Sequence, residues 1–193
     1  MKSPLFVILG GPNGAGKSSV ATAVLPPGIV FLNADDIARS LPSMPPAHRD
    51  FEASRVVLER MDSLAEQRDD FAIETTLASR SLAPRARRLK QAGYYFRLVY
   101  VRSASPDFSA ERVAARVRLG GHDIPIDTIR RRYYSGLRNL FSLYLPLADS
   151  WDIHDNTSGM GPSLIAEGIA DHPPMIHAPE IWNALQEAAR DGQ

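Results

Sequence analysis

The chain has 193 residues, a length that suits one domain with a sizeable hydrophobic core. Its 22 Lys and Arg residues balance its 22 Asp and Glu residues, which excludes a net field that would favour nucleic acid or an anionic membrane. The lack of cysteine excludes disulfides and thiolate metal sites, and the first residues hold too short an apolar run for a secretory signal, so we expect a single cytoplasmic domain over 1–193 that does not cross a membrane.

Apolar runs rich in branched residues predict the strands of a sheet. Five runs are clear and a sixth is weaker: residues 5–9, 28–32, 71–75, 94–102 and 151–155, then 163–168. Helical patterns separate them, the two clearest at 48–70 and 82–93. Strands that alternate with helices indicate an α/β fold with a mostly parallel sheet and helices on both faces.

The longest predicted helix carries an apolar stripe, and prolines mark the loops. The stripe predicts core packing for Phe51, Val57, Leu58, Met61, Leu64 and Ala65. The proline-containing stretches 41–48 and 171–179 predict loops, and a short terminal helix follows around 180–190. We therefore treat 169–193 as a C-terminal loop and helix.

The segment GPNGAGKS, residues 11–18, follows the first predicted strand and opens the first predicted helix. It matches G-x-x-x-x-G-K-[ST], in which the backbone N–H groups of a glycine-rich turn and a helix N-terminus bind phosphate oxygens. We expect Lys17 to neutralise the terminal phosphates of a nucleotide and the Ser18 hydroxyl to ligate Mg²⁺. The predicted nucleotide-binding residues are Gly11, Pro12, Asn13, Gly14, Ala15, Gly16, Lys17, Ser18 and Ser19.

Two large classes of nucleotide-binding protein lack support in the sequence. A switch GTPase would carry an N-K-x-D segment, which is absent. A motor or remodelling ATPase has an apolar strand ending in Asp followed by Glu, whereas the nearest stretch here, FAIE, ends in Glu74 alone. The remaining class is the small kinases, which transfer the γ-phosphoryl group to a second substrate.

Acidic side chains follow the second and third predicted strands. Asp35 and Asp36 come after the second strand, and Glu74, Thr75 and Thr76 end the third. Because ligands bind beyond the carboxyl ends of strands in an open parallel sheet, we expect these residues beside the phosphate-binding loop. A kinase needs such an acid to deprotonate the acceptor hydroxyl. From spacing alone, capping of the following helix suits the two aspartates equally well.

Arginines cluster in the segment 106–139, on both sides of a Gly-Gly-His sequence at 120–122. Arg112 and Arg116 are four residues apart and share a helix face. Two arginine-bearing helices joined by glycines suit a lid that closes over phosphates and excludes water. For each arginine taken singly, the alternative is an ordinary solvated position.

Together these motifs resemble those of the zeta-toxin-like P-loop kinases, in particular their short bacterial branch. The stretches that carry the resemblance run in order from about residue 5 to 168: GPNGAGKSS, NADDIA, IETTLASR, RVRLGGHDIP, RRRYYSGLRN and the DN of WDIHDNTSG. The resemblance implies a P-loop kinase sheet of strand order 2-3-1-4-5. It also implies transfer of phosphate from ATP or GTP, with Mg²⁺, to a sugar hydroxyl of a UDP-N-acetylamino sugar, chiefly UDP-N-acetylglucosamine, by a toxin that a small helical antitoxin inhibits.

The resemblance also assigns roles to individual residues. Asp35, in NADDIA, becomes the base, and Asp36 is left to begin the helix that follows. Lys17, Arg116 and one of Arg131 or Arg132 become the catalytic cations, for which we select Arg131. The residues assigned to the acceptor site are Asn33, Asp35, Glu74, Thr75, Thr76, Arg80, His122 and Arg132.

Two other functions are alternatives to a sugar-nucleotide kinase. A kinase for nucleic-acid 5′ ends also pairs a P-loop with an Asp and lid arginines, but the zero net charge and the lack of a basic stripe interleaved with aromatic residues count against it. A regulatory module that binds a nucleotide without phosphoryl transfer would have no use for Asp35, Glu74 and the lid together.

Overall fold

The computed structural model of the chain describes residues 3–42, 44–121 and 123–191. The strands are β1 (Leu5–Gly10), β2 (Val30–Leu32), β3 (Phe71–Thr75), β4 (Tyr95–Arg102), β5 (Ser150–Asp155), β6 (Ser163–Ile169) and β7 (Met175–Ile176). The helices are α1 (Lys17–Val24), α2 (Ala34–Ser40), α3 (Pro46–Gln67), α4 (Leu82–Gln91), α5 (Pro106–Arg118), α6 (Ile126–Asn139) and α7 (Pro179–Asp191). After α6 the chain continues into a π-helical turn (Leu140–Tyr144) and a 3₁₀ turn (Leu145–Leu147).

The seven strands form one sheet in the order β2-β3-β1-β4-β5-β6-β7. The first five in this order are parallel, which confirms the predicted order 2-3-1-4-5. The carboxyl ends of β1, β2 and β3 therefore meet at one edge of the sheet, and the segments that follow these strands lie side by side. The last two strands extend the sheet with antiparallel pairs.

The sheet is covered on both faces because its central strands are apolar on both sides. On β1, Phe6 and Ile8 point to one face and Val7 and Leu9 to the other, and all four are fully buried. Helix α1 covers the second face through Val20 and Ala21, and α3, α4, α6 and α7 cover the first. Among the described residues, no helix combines the length and the apolar character that a membrane crossing requires.

Two predictions about local structure were wrong. The stretch 171–179, predicted as a loop, contains β7, which pairs with Ala166 and Glu167 of β6. A strand of two residues is too short to leave an alternating pattern in the sequence. Phe51, predicted to pack in the core, is 69% exposed. The first turns of α3 direct Asp50, Ala53 and Ser54 into a cleft rather than against the sheet, so the core does not reach Phe51.

The predicted C-terminal helix is present as α7, and it packs through an aromatic cluster. The Trp182 ring stacks on Trp151 of β5 with centroids 5.8 Å apart, and it meets Phe141 edge to face at 5.4 Å. Leu185 is 4% exposed on the same side of the sheet. These contacts attach α7 to the sheet and to the turn that follows α6.

Candidate active site

The loop between β1 and α1 is shaped to surround an anion. Gly14 and Gly16 adopt left-handed backbone angles (φ of 75° and 84°), and a Cβ at Gly14 would lie 2.6 Å from the Ser109 carbonyl oxygen. Gly16 is the N-cap of α1 and supplies no side-chain cap. In the described part of the chain, the N–H groups of Gly16, Lys17 and Ser18 have no acceptor. These donors and the helix dipole together suit phosphate oxygens.

Lys17 is buried under this loop, with 6% of its side chain exposed. Its Nζ donates to the carbonyl oxygens of Gly11 (2.8 Å) and Pro12 (3.0 Å) and lies 3.6 Å from Glu74 Oε1. Burial lowers the pKa of Lys17, and the attraction of Glu74 and Asp35 opposes that shift only in part. The loop thus holds a desolvated ammonium group that would gain from contact with phosphate charge.

The other predicted nucleotide-binding residues differ in which of their groups, backbone or side chain, faces the loop or a cavity. The Ala15 side chain is fully buried against the sheet, so only its backbone faces the loop interior. Asn13 lines the cleft beside the loop, and its Oδ1 is buried with no hydrogen-bond partner among the residues that the structure describes. Ser18 and Ser19 are exposed at the start of α1, and Ser19 lines a second cavity on the far side of the loop.

Glu74, at the end of β3, links three of the predicted site residues. Its Oε2 accepts hydrogen bonds from Ser18 Oγ (2.9 Å) and Asn33 Nδ2 (3.1 Å), while Oε1 faces Lys17. The prediction placed Glu74 with the acceptor; the structure places it against the phosphate-binding loop as well. Its carboxylate and the Ser18 hydroxyl are hard oxygen donors of the kind that Mg²⁺ prefers.

Helix α2 begins directly after β2, and its cap is Asn33 rather than an aspartate. Asn33 Oδ1 accepts a hydrogen bond from the Asp35 backbone N–H at 2.8 Å, and the helix starts at Ala34. Asp36 therefore lies inside the first turn, where it forms an exposed ion pair with Arg39, and the prediction that it begins the helix was wrong. Neither aspartate therefore caps the helix.

This arrangement predicts different stability losses for two neighbouring residues. Asn33→Ala is expected to lower the free energy of unfolding by about 1 to 2 kcal/mol, because the cap and the bond to Glu74 are both lost. Asp36→Asn removes only a solvent-exposed ion pair and is expected to cost less than about 1 kcal/mol. Urea denaturation of both variants measures the difference, and a larger loss for Asp36→Asn would contradict the assignment of the cap.

The Asp35 carboxylate faces the cleft and the lid. Its side chain is 58% exposed, and Asp35 Oδ2 lies 3.8 Å from Arg116 Nη1 of α5. Asp35 also contributes to the electrostatic field at Lys17. A carboxylate that is accessible to solvent, close to two cations and beside a phosphate-binding loop can accept a proton from a bound hydroxyl group.

The lid arginines take several positions. Arg131 and Arg132 of α6 line the cleft opposite α3, and Arg116 reaches Asp35 from α5. Arg112 instead donates to the Asn156 carbonyl oxygen at 3.1 Å and lies over the Phe108 ring. Arg80 is exposed, and the described residues that line the cleft do not include it. His122 lies outside the described residues.

The cleft between these elements has a volume of about 870 Å³. It contains the predicted residues Asn13, Lys17, Asn33, Asp35, Glu74, Thr75, Thr76, Arg131 and Arg132. It also contains polar residues that the sequence analysis did not select: Asp50, Ser54, Ser79, Ser81, Asp123, Thr128 and Ser135. Asp50 and Ser54 are one helical turn apart and next to Ala53, and this spacing could have predicted that a polar face of the helix lines a cleft.

A second cavity, of about 500 Å³, lies on the other side of the phosphate-binding loop. It is lined by Ser19 and Val20 of α1, by Phe108 and Arg112 of α5, and by the segment 156–162 in part. Asn156 Nδ2 donates to the Ala15 carbonyl oxygen at 3.2 Å, which joins this cavity to the loop. The flat faces of the Phe108 ring and the Arg112 guanidinium suit a planar base.

Comparison with known proteins places these features in a family. Residues 1–144 match the family described as Zeta toxin. An uncharacterized protein of Haemophilus influenzae is 29% identical over 123 residues, which cover 64% of this chain and 88% of that protein. The match to the Zeta toxin family confirms the resemblance that the motifs indicated.

Two solved structures share the fold at low sequence identity. One comes from the PezAT chromosomal toxin-antitoxin system of Streptococcus pneumoniae (TM-score 0.70, 19% identity, 100% of this chain and 85% of that one). The other is AvrRxo1-ORF1:-ORF2 with ATP (TM-score 0.78, 15% identity, 95% of this chain), of which this chain spans only 63%. Since the family match covers residues 1–144 of 193, this chain belongs to the zeta toxin family and has a P-loop kinase fold.

Proposed function

We propose that the protein is a kinase that transfers the γ-phosphoryl group of ATP to a sugar hydroxyl of a UDP-N-acetylamino sugar. The observation that carries the proposal is that Asp35 shares one cleft with Lys17 and lies 3.8 Å from Arg116. A general base must reach the acceptor hydroxyl beside the γ-phosphate, and cations must neutralise the group in transfer. These three side chains supply both requirements.

ATP, or GTP, is the donor that we assign to the loop 11–19. The free N–H groups at the start of α1 and the buried Lys17 ammonium would bind its phosphates. The second cavity, with Phe108 and Arg112, would receive its base. The AvrRxo1-ORF1:-ORF2 structure, which shares this fold, was solved with ATP, which supports a nucleotide as the ligand.

Mg²⁺ is the metal that the local donors fit. We assign the Ser18 hydroxyl as its ligand and Glu74 as the acid that accepts the Ser18 hydrogen bond at 2.9 Å. When bound, the ion neutralises phosphate charge and orients the β- and γ-phosphates. Lys17 would then exchange its bonds to the Gly11 and Pro12 carbonyl oxygens for bonds to phosphate oxygens.

In the proposed transfer, the acceptor oxygen forms a bond to the γ-phosphorus while the bond from that phosphorus to the β–γ bridging oxygen breaks. The proton of the acceptor hydroxyl passes to Asp35, and ADP leaves. Arg116 is already beside Asp35, and Arg131 would approach from α6 as the lid closes. Because the transition state is largely dissociative, neutralisation by Lys17 and the arginines contributes more than the base does.

The acceptor class rests on the family motifs and on the chemistry of the cleft. The guanidinium group of Arg132 suits the diphosphate of a nucleotide sugar, since guanidinium groups bind phosphate with two parallel hydrogen bonds. The hydroxyl groups of Thr75, Thr76 and Ser79 suit the hydroxyl groups of a sugar. A cleft of about 870 Å³ has room for such a ligand.

We also propose an antitoxin as a protein partner. The support comes from the family and from the relatives: one solved relative belongs to a toxin-antitoxin system, and the other was solved together with ORF2. A small helical protein that covers the phosphate-binding loop would block nucleotide entry. Expression of the protein alone and together with the product of the neighbouring gene would measure this effect on growth.

The function is tested by offering the purified protein ATP, Mg²⁺ and a pool of cell metabolites. We expect mass spectrometry to detect a UDP-N-acetylamino sugar that is heavier by one phosphate. A phosphorylated product of another chemical class would overturn the acceptor assignment while leaving a kinase. Binding of ATP with no phosphorylated product would favour the regulatory module instead.

A further inference from the structure

The connection between β3 and α4 forms one wall of the cleft and has an unusual backbone. We call residues Thr76–Ser81 the acceptor loop, because Thr76, Ala78, Ser79 and Ser81 line the cleft. Leu77 has a φ of 58°, a left-handed conformation that a leucine rarely adopts, and its side chain is fully buried against Gly10. Surrounding contacts must therefore hold the loop in this form.

The end of α6 and the π-helical turn after it supply those contacts. Asn139 is 8% exposed, and its Nδ2 donates to the carbonyl oxygens of Leu77 (2.8 Å) and Ala78 (3.2 Å). Five residues later, the hydroxyl group of the fully buried Tyr144 donates to the Ser79 carbonyl oxygen at 3.0 Å. Three successive carbonyl groups of the acceptor loop are thus bound by two side chains.

The π-helical turn makes this double contact possible. Its i to i+5 hydrogen bond, from the Leu145 N–H to the Leu140 carbonyl oxygen, widens the helix at the point where Asn139 and Tyr144 must face the same loop. Burial raises the pKa of Tyr144 to about 12, so its hydroxyl group remains a donor across the physiological range. The π-helical turn therefore allows Asn139 and Tyr144 to bind the acceptor loop together.

Helix α6 also contacts the loop through its backbone. A Cβ at Gly136 would lie 2.5 Å from the Thr76 carbonyl oxygen, so the helix and the loop touch directly at this glycine. The same helix presents Arg131 and Arg132 to the cleft. Helix α6 therefore contacts the acceptor loop and also carries Arg131 and Arg132.

We propose that Asn139 and Tyr144 are positioning residues of the acceptor site, which hold the acceptor loop in the backbone conformation that binds the acceptor. The proposal rests on the kinase function proposed above. The backbone N–H groups of Leu77 and Ala78 are bound by the hydroxyl oxygens of Thr75 and Thr76, whose own O–H groups have no acceptor among the described residues and can donate to a ligand. If the hydrogen bonds from Asn139 and Tyr144 were lost, the backbone of the acceptor loop could change conformation, and these hydroxyl groups would no longer point to the acceptor.

Three variants test the proposal: Asn139→Leu, Tyr144→Phe and, as a matched control, Tyr133→Phe. Tyr133 lies on α6 as well and donates to the Ser103 carbonyl oxygen at 3.3 Å, in a connection that does not line the cleft among the described residues. The two tyrosine variants thus each lose one hydrogen bond from a buried tyrosine hydroxyl group to a backbone carbonyl oxygen. Amide hydrogen exchange of residues 76–81 and the KM values for ATP and for UDP-N-acetylglucosamine are measured in each.

We expect Tyr144→Phe to raise the acceptor KM about fivefold and Asn139→Leu to raise it roughly 10- to 100-fold, since buried carbonyl groups lose their donors. The ATP KM should stay within about twofold, because the bonds that are lost involve neither the Lys17 ammonium group nor the N–H groups at the start of α1. Exchange in 76–81 should accelerate in both variants. Tyr133→Phe should change neither the acceptor KM nor the exchange of this segment.

An unchanged acceptor KM and unchanged exchange in a folded Asn139→Leu or Tyr144→Phe protein would overturn the proposal. An equal rise of the acceptor KM in Tyr133→Phe would overturn it too, because it would show a general loss of packing. If another metabolite proves to be the acceptor, that compound replaces UDP-N-acetylglucosamine. If the unmutated protein phosphorylates nothing, the proposed function fails, and the exchange comparison still decides whether these residues hold the loop.

Discussion

Replacement of Asp35 by asparagine is expected to lower kcat by a factor of about 10² to 10⁴, the usual range for loss of a general base. The change preserves the shape of the side chain at the start of α2, so the helix and its Asn33 cap should persist. It replaces the carboxylate, which would take the proton of the acceptor and which faces Arg116, with a neutral amide that is not basic. Initial rates with saturating ATP measure kcat, and titration calorimetry measures ATP affinity, which should change little.

Asp36→Asn is the matched control for this prediction. It makes the same chemical change at the next position, where the side chain pairs with Arg39 on the surface. We expect nearly normal kcat from Asp36→Asn. Near-normal turnover in Asp35→Asn, or equal losses in both variants, would remove Asp35 from the role of base.

Replacement of Lys17 by methionine is expected to lower kcat by a factor on the order of 10³, because the ammonium group is the cation buried in the phosphate-binding loop. ATP affinity should fall as well, since Lys17 would contact the phosphates in both the ground state and the transition state. The KM for ATP and kcat are measured together. A variant with wild-type kcat would contradict the assignment of the loop.

The same variant tests how the buried ammonium group affects stability in the absence of nucleotide. Burial lowers the pKa of Lys17 despite the nearby Glu74 and Asp35, which means that desolvation outweighs their attraction. Methionine has a similar volume and no charge to bury, but it leaves the carbonyl oxygens of Gly11 and Pro12 and the Glu74 carboxylate without their donor. We expect the free energy of unfolding to fall by about 1 to 3 kcal/mol, whereas an unchanged or higher Tm would show that the desolvation cost of Lys17 exceeds the value of these contacts.

The lowered pKa of Lys17 also predicts a pH dependence. Between its pKa in the folded protein and the ordinary value of 10.5, the unfolded chain binds a proton that the folded chain does not. The free energy of unfolding therefore gains a contribution that rises with pH over this window. Lys17→Met should lack this contribution, which comparison of urea denaturation curves at several pH values above neutral would measure.

Features with a local pattern were predicted correctly from the sequence. The parallel strands are continuous apolar runs, and the loop between β1 and α1 combines glycines, a lysine and a serine at fixed spacing, so each can be recognised without knowledge of distant residues. The order of the strands came from the resemblance to a family. The meeting of Asp35 and Glu74 at one edge followed from the geometry of parallel strands.

Features that depend on distant contacts were not predicted. Asn139 ends the stretch RRRYYSGLRN and Tyr144 follows it, but no local pattern shows that both bind carbonyl groups about 60 positions earlier in the chain. The exposure of Phe51 depends on how far the core extends along α3. The capping role of Asn33 could have been predicted, because an asparagine directly before a helix is a recognised N-cap. The sequence analysis considered only the two aspartates after it for this role.

The most direct measurement offers γ-labelled ATP to UDP-N-acetylglucosamine and, separately, to an oligonucleotide with a 5′-hydroxyl end, using the unmutated protein and Asp35→Asn. We predict label in the sugar nucleotide with the unmutated protein, a strongly reduced amount with Asp35→Asn, and none in the oligonucleotide. Label in the oligonucleotide, or in neither acceptor, would contradict the proposal that this zeta toxin family member phosphorylates a UDP-amino sugar.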